Sequence, residues 1–186
     1  MVEFGRRDWL LLVHHDRAVF DSRARRDQYP FLNSDMVDVR QSAAGEESRY
    51  KMYSATEALY TIIADELNAQ VNTPLHQACS IAAQLSDFVV PHLPEIVASA
   101  AAFHRGQETE ELFCGFIKCH RSDGGRAIEF TRPVYGTMAA MADLPRHWPT
   151  IIAWGFINLT RAAALLKKRA DEHHIDLGDF WPVEGS

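Results

Sequence analysis

The chain has 186 residues, 47% hydrophobic and 24% charged, with 19 Lys+Arg against 25 Asp+Glu for a net charge of −6. That length suits one domain with a real core, and the apolar content excludes an intrinsically disordered chain. Three cysteines are too few for a disulfide scaffold, no apolar run reaches the roughly 20 residues of a membrane helix, and the negative balance disfavours a broad phosphate-binding surface.

The charge is unevenly placed. Residues 1–53 and 121–186 are each balanced, so the excess lies in 54–120, where Arg105 and Lys118 stand against eight carboxylates. An odd set of cysteines (Cys79, Cys114, Cys119) fits a reducing cytoplasm. The opening Gly5-Arg6-Arg7 is followed by too short an apolar run, Trp9 to Val13, for an export signal.

In chain order, residues 8–27 fit helical spacing, with 9–13 also readable as a short buried strand, and Tyr29-Pro30 closes the segment. A polar loop follows at 28–53. Ser54 and Glu57 form a capping-box pattern ahead of Leu59, Ile62, Ile63, Leu67 and Val71, which predicts a helix over 55–71. Thr73 as cap and Pro74 in the first turn predict the next helix over 74–90, stopped by Pro91. Pro94 opens another towards Gly106. Residues 108–119 place acids early and Lys118 late, which reads as a helix aligned with its dipole. Asp123-Gly124-Gly125 breaks the chain, 126–132 alternates like a short strand, and 134–143 reads as a brief helix. A long helix is expected over 150–172. Its first half, 151–157, is apolar on every side and is therefore expected at the centre of the fold. The sum is a mainly α protein: one helical domain over 1–186, a bundle of five to seven helices, with optional short strands at 9–13 and 126–132 and a C-terminal tail at 176–186.

Chemically informative groupings are few. His14-His15-Asp16 resembles the His-Asp pair of HD-type metal phosphohydrolases, without the upstream histidine of that pattern. Asp171 and His174 are three apart and can share a helix face; with His14, His15 and His173 they are the candidate metal ligands, if the terminal helices meet. Arg169 and His174 resemble the Arg-x4-His element of HEPN ribonucleases over residues 169–174 alone, with Ala170 where that element usually has a polar residue. The resemblance implies a proton-moving imidazole and a charge-stabilising guanidinium as the catalytic pair. Phe180 and Trp181, near the end of the chain, are the candidate partner-binding residues if they do not dock on their own domain.

No catalytic set is complete. The expected function is thus non-catalytic: a cytoplasmic helical protein acting by self-association, as a homo-oligomer, or through a protein partner. No cofactor, resident metal or membrane is implied, and nucleic acid is limited to a local RNA contact at a basic cluster. The alternatives are a HEPN-like ribonuclease, a metal-dependent hydrolase and a small-ligand-binding regulator.

Overall fold

The computed structural model describes residues 3–24, 29–30, 32, 37–41, 47–123, 126–148 and 150–181. The elements run β1 (Glu3–Phe4), α1 (Arg6–Val13), α2 (Arg17–Ala24), β2 (Val37–Gln41), β3 (Glu47–Lys51), β4 (Tyr53–Ser54), α3 (Ala55–Gln70), α4 (Leu75–Gln84), α5 (Ser86–Val89), α6 (Leu93–His104), β5 (Leu112–Asp123), β6 (Arg126–Thr137), α7 (Met138–His147), β7 (Ile151–Asn158) and α8 (Leu159–Glu172), with a 3-10 turn at Gly178–Phe180. The fold is mixed α/β. The mainly α bundle predicted from periodicity is corrected by an antiparallel sheet of order β6-β5-β7.

Three expected helices are wholly or partly strand. Residues 112–123 form β5, residues 134–137 extend β6 before α7 begins, and 151–158 form β7, so only 159–172 of the long helix is helical. The cause lies in β5. Its inner side chains Leu112, Cys114 and Phe116 and its outer Gly115, Ile117 and Cys119 are all buried, which erases the alternation that identifies a half-buried strand. The 126–132 strand is present and longer than read, whereas 9–13 lies within α1. The 8–27 segment breaks at His14, whose left-handed φ of 56° caps α1 and separates it from α2. A hairpin, β2 with β3, lies within the expected polar loop. Residues 25–28, 31, 33–36 and 42–46 of that region lie outside the described set.

The helical core follows the predicted stripes more closely. Ser54 and Glu57 complete the capping box of α3. Leu59, Ile63 and Leu67 are fully buried, each contributing about 1.5–3 kcal/mol by removal from water. Thr73 does not cap α4, which starts from Pro74 with no side-chain cap, and α5 ends just before Pro91. Gly106, at φ 70°, turns the chain out of α6. The pairs α3 with α4 and α6 with α8 pack against each other, and the inner face of the sheet lies against α3 and α4. Among the described residues no helix is long and apolar enough to cross a membrane.

Thr160 joins sheet and helices. Its hydroxyl, fully buried, accepts from the Leu112 amide at 2.9 Å and bonds the Ser99 hydroxyl at 3.0 Å, while Ser99 also donates to the Glu110 carbonyl. This small polar node holds the start of β5 against α6 and α8. Such networks are costly to leave half satisfied in a dry interior.

Candidate association surface

The two faces of the sheet have different cover. On the outer face, α7 packs over β6 and β5, with Met141 buried and Trp148 under the Arg132 guanidinium at 4.6 Å. That cover stops short of β7. Trp154 is 50% exposed and stacks on Phe156 with ring centroids 6.3 Å apart and planes 16° from parallel. Ile152 is half exposed beside them, at a bulge where the β5 register shifts between Lys118 and Cys119. From Trp148 to Thr160 the sequence carries no charged side chain.

β7 is also an edge. Its described ladder partner is β5 alone. A side chain at Gly115 would run into the Gly155 carbonyl oxygen, so the Gly155 main chain is turned towards β5. By the alternation of an antiparallel ladder, the N–H and C=O groups of Trp154 and Phe156 then point away from the sheet. The opposite edge is built differently. β6 carries Glu129, Arg132 and Pro133, and Pro133 opposes Phe116, whose own main chain faces Gly155. The amide that Pro133 lacks is therefore missing from the free side of β6. One edge is blunted by proline and charge, and the other has neither, nor a ladder partner beyond β5 among the described residues.

Near the N-terminus a polar cluster ties α1 and α2 to α3. Asp65 accepts from His15 Nε2 at 2.7 Å and from the Arg23 guanidinium at 2.7 Å. Arg23 also donates to the Tyr29 hydroxyl at 3.1 Å, and that hydroxyl lies 3.2 Å from His15 Nδ1. Burial by itself lowers the Arg23 pKa, but the Tyr29 and Asp65 oxygens reverse this and leave it raised. Burial raises Tyr29 well above the usual phenol range and pushes the Cys79 thiol up to about 12. These groups lock the helices together, and the buried, protonated Tyr29 and Cys79 are poor nucleophiles.

Burial of acids that stay protonated has a consequence at high pH. Tyr60 is likewise pushed up to about 12 by burial. Folded Tyr29, Tyr60 and Cys79 hold protons that the unfolded chain releases from about pH 8.5 to 10, so stability is full below that range. Above it, each group costs about 1.4 kcal/mol per pH unit until its folded pKa is passed. The urea midpoint is expected to stay level from pH 7 to 8 and to fall steeply by pH 10.5. In a chain carrying Tyr50→Phe, which keeps the four tyrosines whose pKa burial raises, tyrosinate absorbance should appear together with unfolding; its appearance in that folded chain near pH 10 would contradict this packing.

The residues singled out from sequence disperse. His15 faces Asp65, while His14 and His174 stand exposed in left-handed cap conformations. Asp171 pairs with Lys167 and lies 3.4 Å from His104, and His173 is exposed at the end of α8. Among the described residues no group of three His, Cys, Asp or Glu is arranged to hold a metal. Arg169 donates to the Leu12 carbonyl at 3.0 Å, joining α8 to α1, and burial lowers its pKa. Trp181 is 8% exposed, edge-on to His104 with Lys167 over its ring, and Phe180 lies against the core near Leu93 and Val97. A groove of about 500 Å³ between α3, α6 and α8, lined by Glu66, Phe103, His104, Arg161 and Lys168, has mixed charge and no convergent polar set.

Trp154, Phe156, Arg23 and Asp65 were not legible as site residues. The first two lie in the run expected at the core, and the signal that marks them is compositional: Ile, Trp and Phe flanking a glycine suit a strand better than a helix. Arg23 and Asp65 are 42 positions apart and meet through tertiary packing alone. Comparisons with protein-family models, curated proteins and solved structures find no match for this chain.

Proposed function

We propose that this protein works by association, binding another protein chain along the uncharged free edge and outer face of β7. The observation that carries the reading is the edge itself: outward main-chain groups at Trp154 and Phe156 beside the half-exposed Trp154 ring, which stacks on the partly buried Phe156 in a charge-free run. An incoming strand satisfies those groups, and the aromatics supply the desolvated contact that dominates binding energy. The engagement of Arg169 with Leu12 and the exposure of His174 lend no support to a ribonuclease pair. Three buried free thiols suit a reducing compartment such as the cytoplasm.

A photo-crosslinking residue placed at Trp154 in the native host cell is expected to give discrete protein adducts, while the same residue at Ala142, on the exposed side of α7, gives far fewer. Equal, diffuse labelling from both positions would remove the reading.

A further inference from the structure

We infer that the occupant of the β7 edge is a second copy of this chain, paired antiparallel about a twofold axis at Gly155 to make one six-stranded sheet. The inference rests on the association reading above and names its partner.

Charge is the first argument. A twofold axis sets each patch against itself, so any charge close to the axis meets its own copy or a near neighbour of the same sign. The stretch from Trp148 to Thr160 carries none, so a copy of β7 docks on β7 without like-charge contact. The β6 edge, with Glu129, Arg132 and Pro133, offers no such seat. Pairing through β7 therefore uses the edge of this sheet that is neither blunted nor covered among the described residues, and it closes at two chains instead of propagating.

Register is the second. The outward groups belong to Trp154 and Phe156, on either side of Gly155. With the axis at Gly155, Trp154 of one copy opposes Phe156 of the other, twice. Each pair exchanges two hydrogen bonds at a Cα separation of about 5.5 Å. The stacked rings of both copies then extend into a four-ring ladder on the outer face, the cross-strand aromatic arrangement that stabilises antiparallel sheets. An axis at Trp154 would instead pair Phe156 with Ile152, which the bulge displaces from the ladder. The glycine also allows close approach at the non-hydrogen-bonded position on the axis.

Area sets the strength. Half of Trp154, part of Phe156 and half of Ile152 offer on the order of 300 Å² of apolar surface per copy, against about 800 Å² per partner in a standard stable interface. The dimer is accordingly weak, with half-association expected at about 10–100 µM.

The test is sedimentation of the full chain over a concentration series. The wild type is expected to rise from 21.0 kDa to twice that mass and stop there. Trp154→Glu should weaken the dimer by about 30-fold or more, as for loss of a central aromatic anchor. Trp154→Glu combined with Phe156→Lys places opposite charges across the axis and should recover part of the lost affinity, associating at least about fivefold more tightly than the chain with glutamate at both positions. Trp154→Glu with Phe156→Glu should remain monomeric. If charge unfolds the strand, chains carrying Trp154→Cys mixed with chains carrying Phe156→Cys provide a second measurement: mild oxidation should link the mixture and neither variant alone, as the pair separation permits.

A wild type that stays monomeric at about 500 µM, well above the expected half-association, or one that polymerises beyond two, overturns the inference. So does a Trp154→Glu, Phe156→Lys chain that associates no better than the chain with glutamate at both positions, when both melt like wild type. A monomeric wild type that still yields adducts of another protein at position 154 removes the second copy and keeps the association reading. A monomer without adducts removes both.

Discussion

Gly115→Ala is expected to cost more than about 3 kcal/mol and to leave the domain unfolded or partly folded at room temperature, a large share of the roughly 5–15 kcal/mol that holds an ordinary domain together. A methyl group here would run into the Gly155 carbonyl oxygen and come within 2.7 Å of Phe156 Cα. Both are main-chain atoms of the paired strand, so relief requires separating β5 from β7. β5 is the central strand and holds both neighbours, so the separation disrupts the whole sheet. Gly155→Ala supplies the internal comparison. Its methyl would meet the Val71 and Phe116 side chains, which can repack, so the cost is expected nearer about 1–3 kcal/mol. Urea midpoints with far-ultraviolet circular dichroism measure both. A Gly115→Ala protein within about 0.5 kcal/mol of wild type, the range of an ordinary surface change, would mean that the two strands do not approach each other as described.

Asp65→Ala is expected to lower stability by about 2–3 kcal/mol, since it strips two charge-assisted bonds from groups that remain largely out of water. The His15 and Arg23 side chains are 8% and 24% exposed, so neither is freely rehydrated once the carboxylate is gone. Partial exposure of Asp65 itself, at 29%, keeps the loss below the roughly 3–5 kcal/mol of a fully buried broken pair. The damage should be local. Amide exchange in α2 should speed up markedly, because Arg23 is its tie to α3, while exchange in β5 changes little. Tyr29→Phe, which removes one hydroxyl from the same cluster, should cost only about 1 kcal/mol. An Asp65→Ala variant with wild-type stability and unchanged α2 exchange would show that the cluster is not a structural tie.

Sequence by itself determined the elements whose signals are local. The Ser54–Glu57 box, the stripe Leu59, Ile63 and Leu67, the proline stop at 91, the proline start at 94 and the dipole-matched end of α8 are all written in residues within a turn or two of each other. It also located the charge-free run at 151–157, although as a central helix. Tertiary structure alone decided that 112–123 and 151–158 are strands. A strand covered on both faces, or bare on one with apolar side chains still present, loses the period of two, and the hydrogen bonds that choose strand over helix come from partners as far away as Phe113 and Asn158. The same holds for His15, Arg23, Tyr29 and Asp65, each an ordinary polar residue until packing brings them within bonding distance. Which edge of the sheet is bare is decided in the same way, because an edge exists only once the strands are ordered in space.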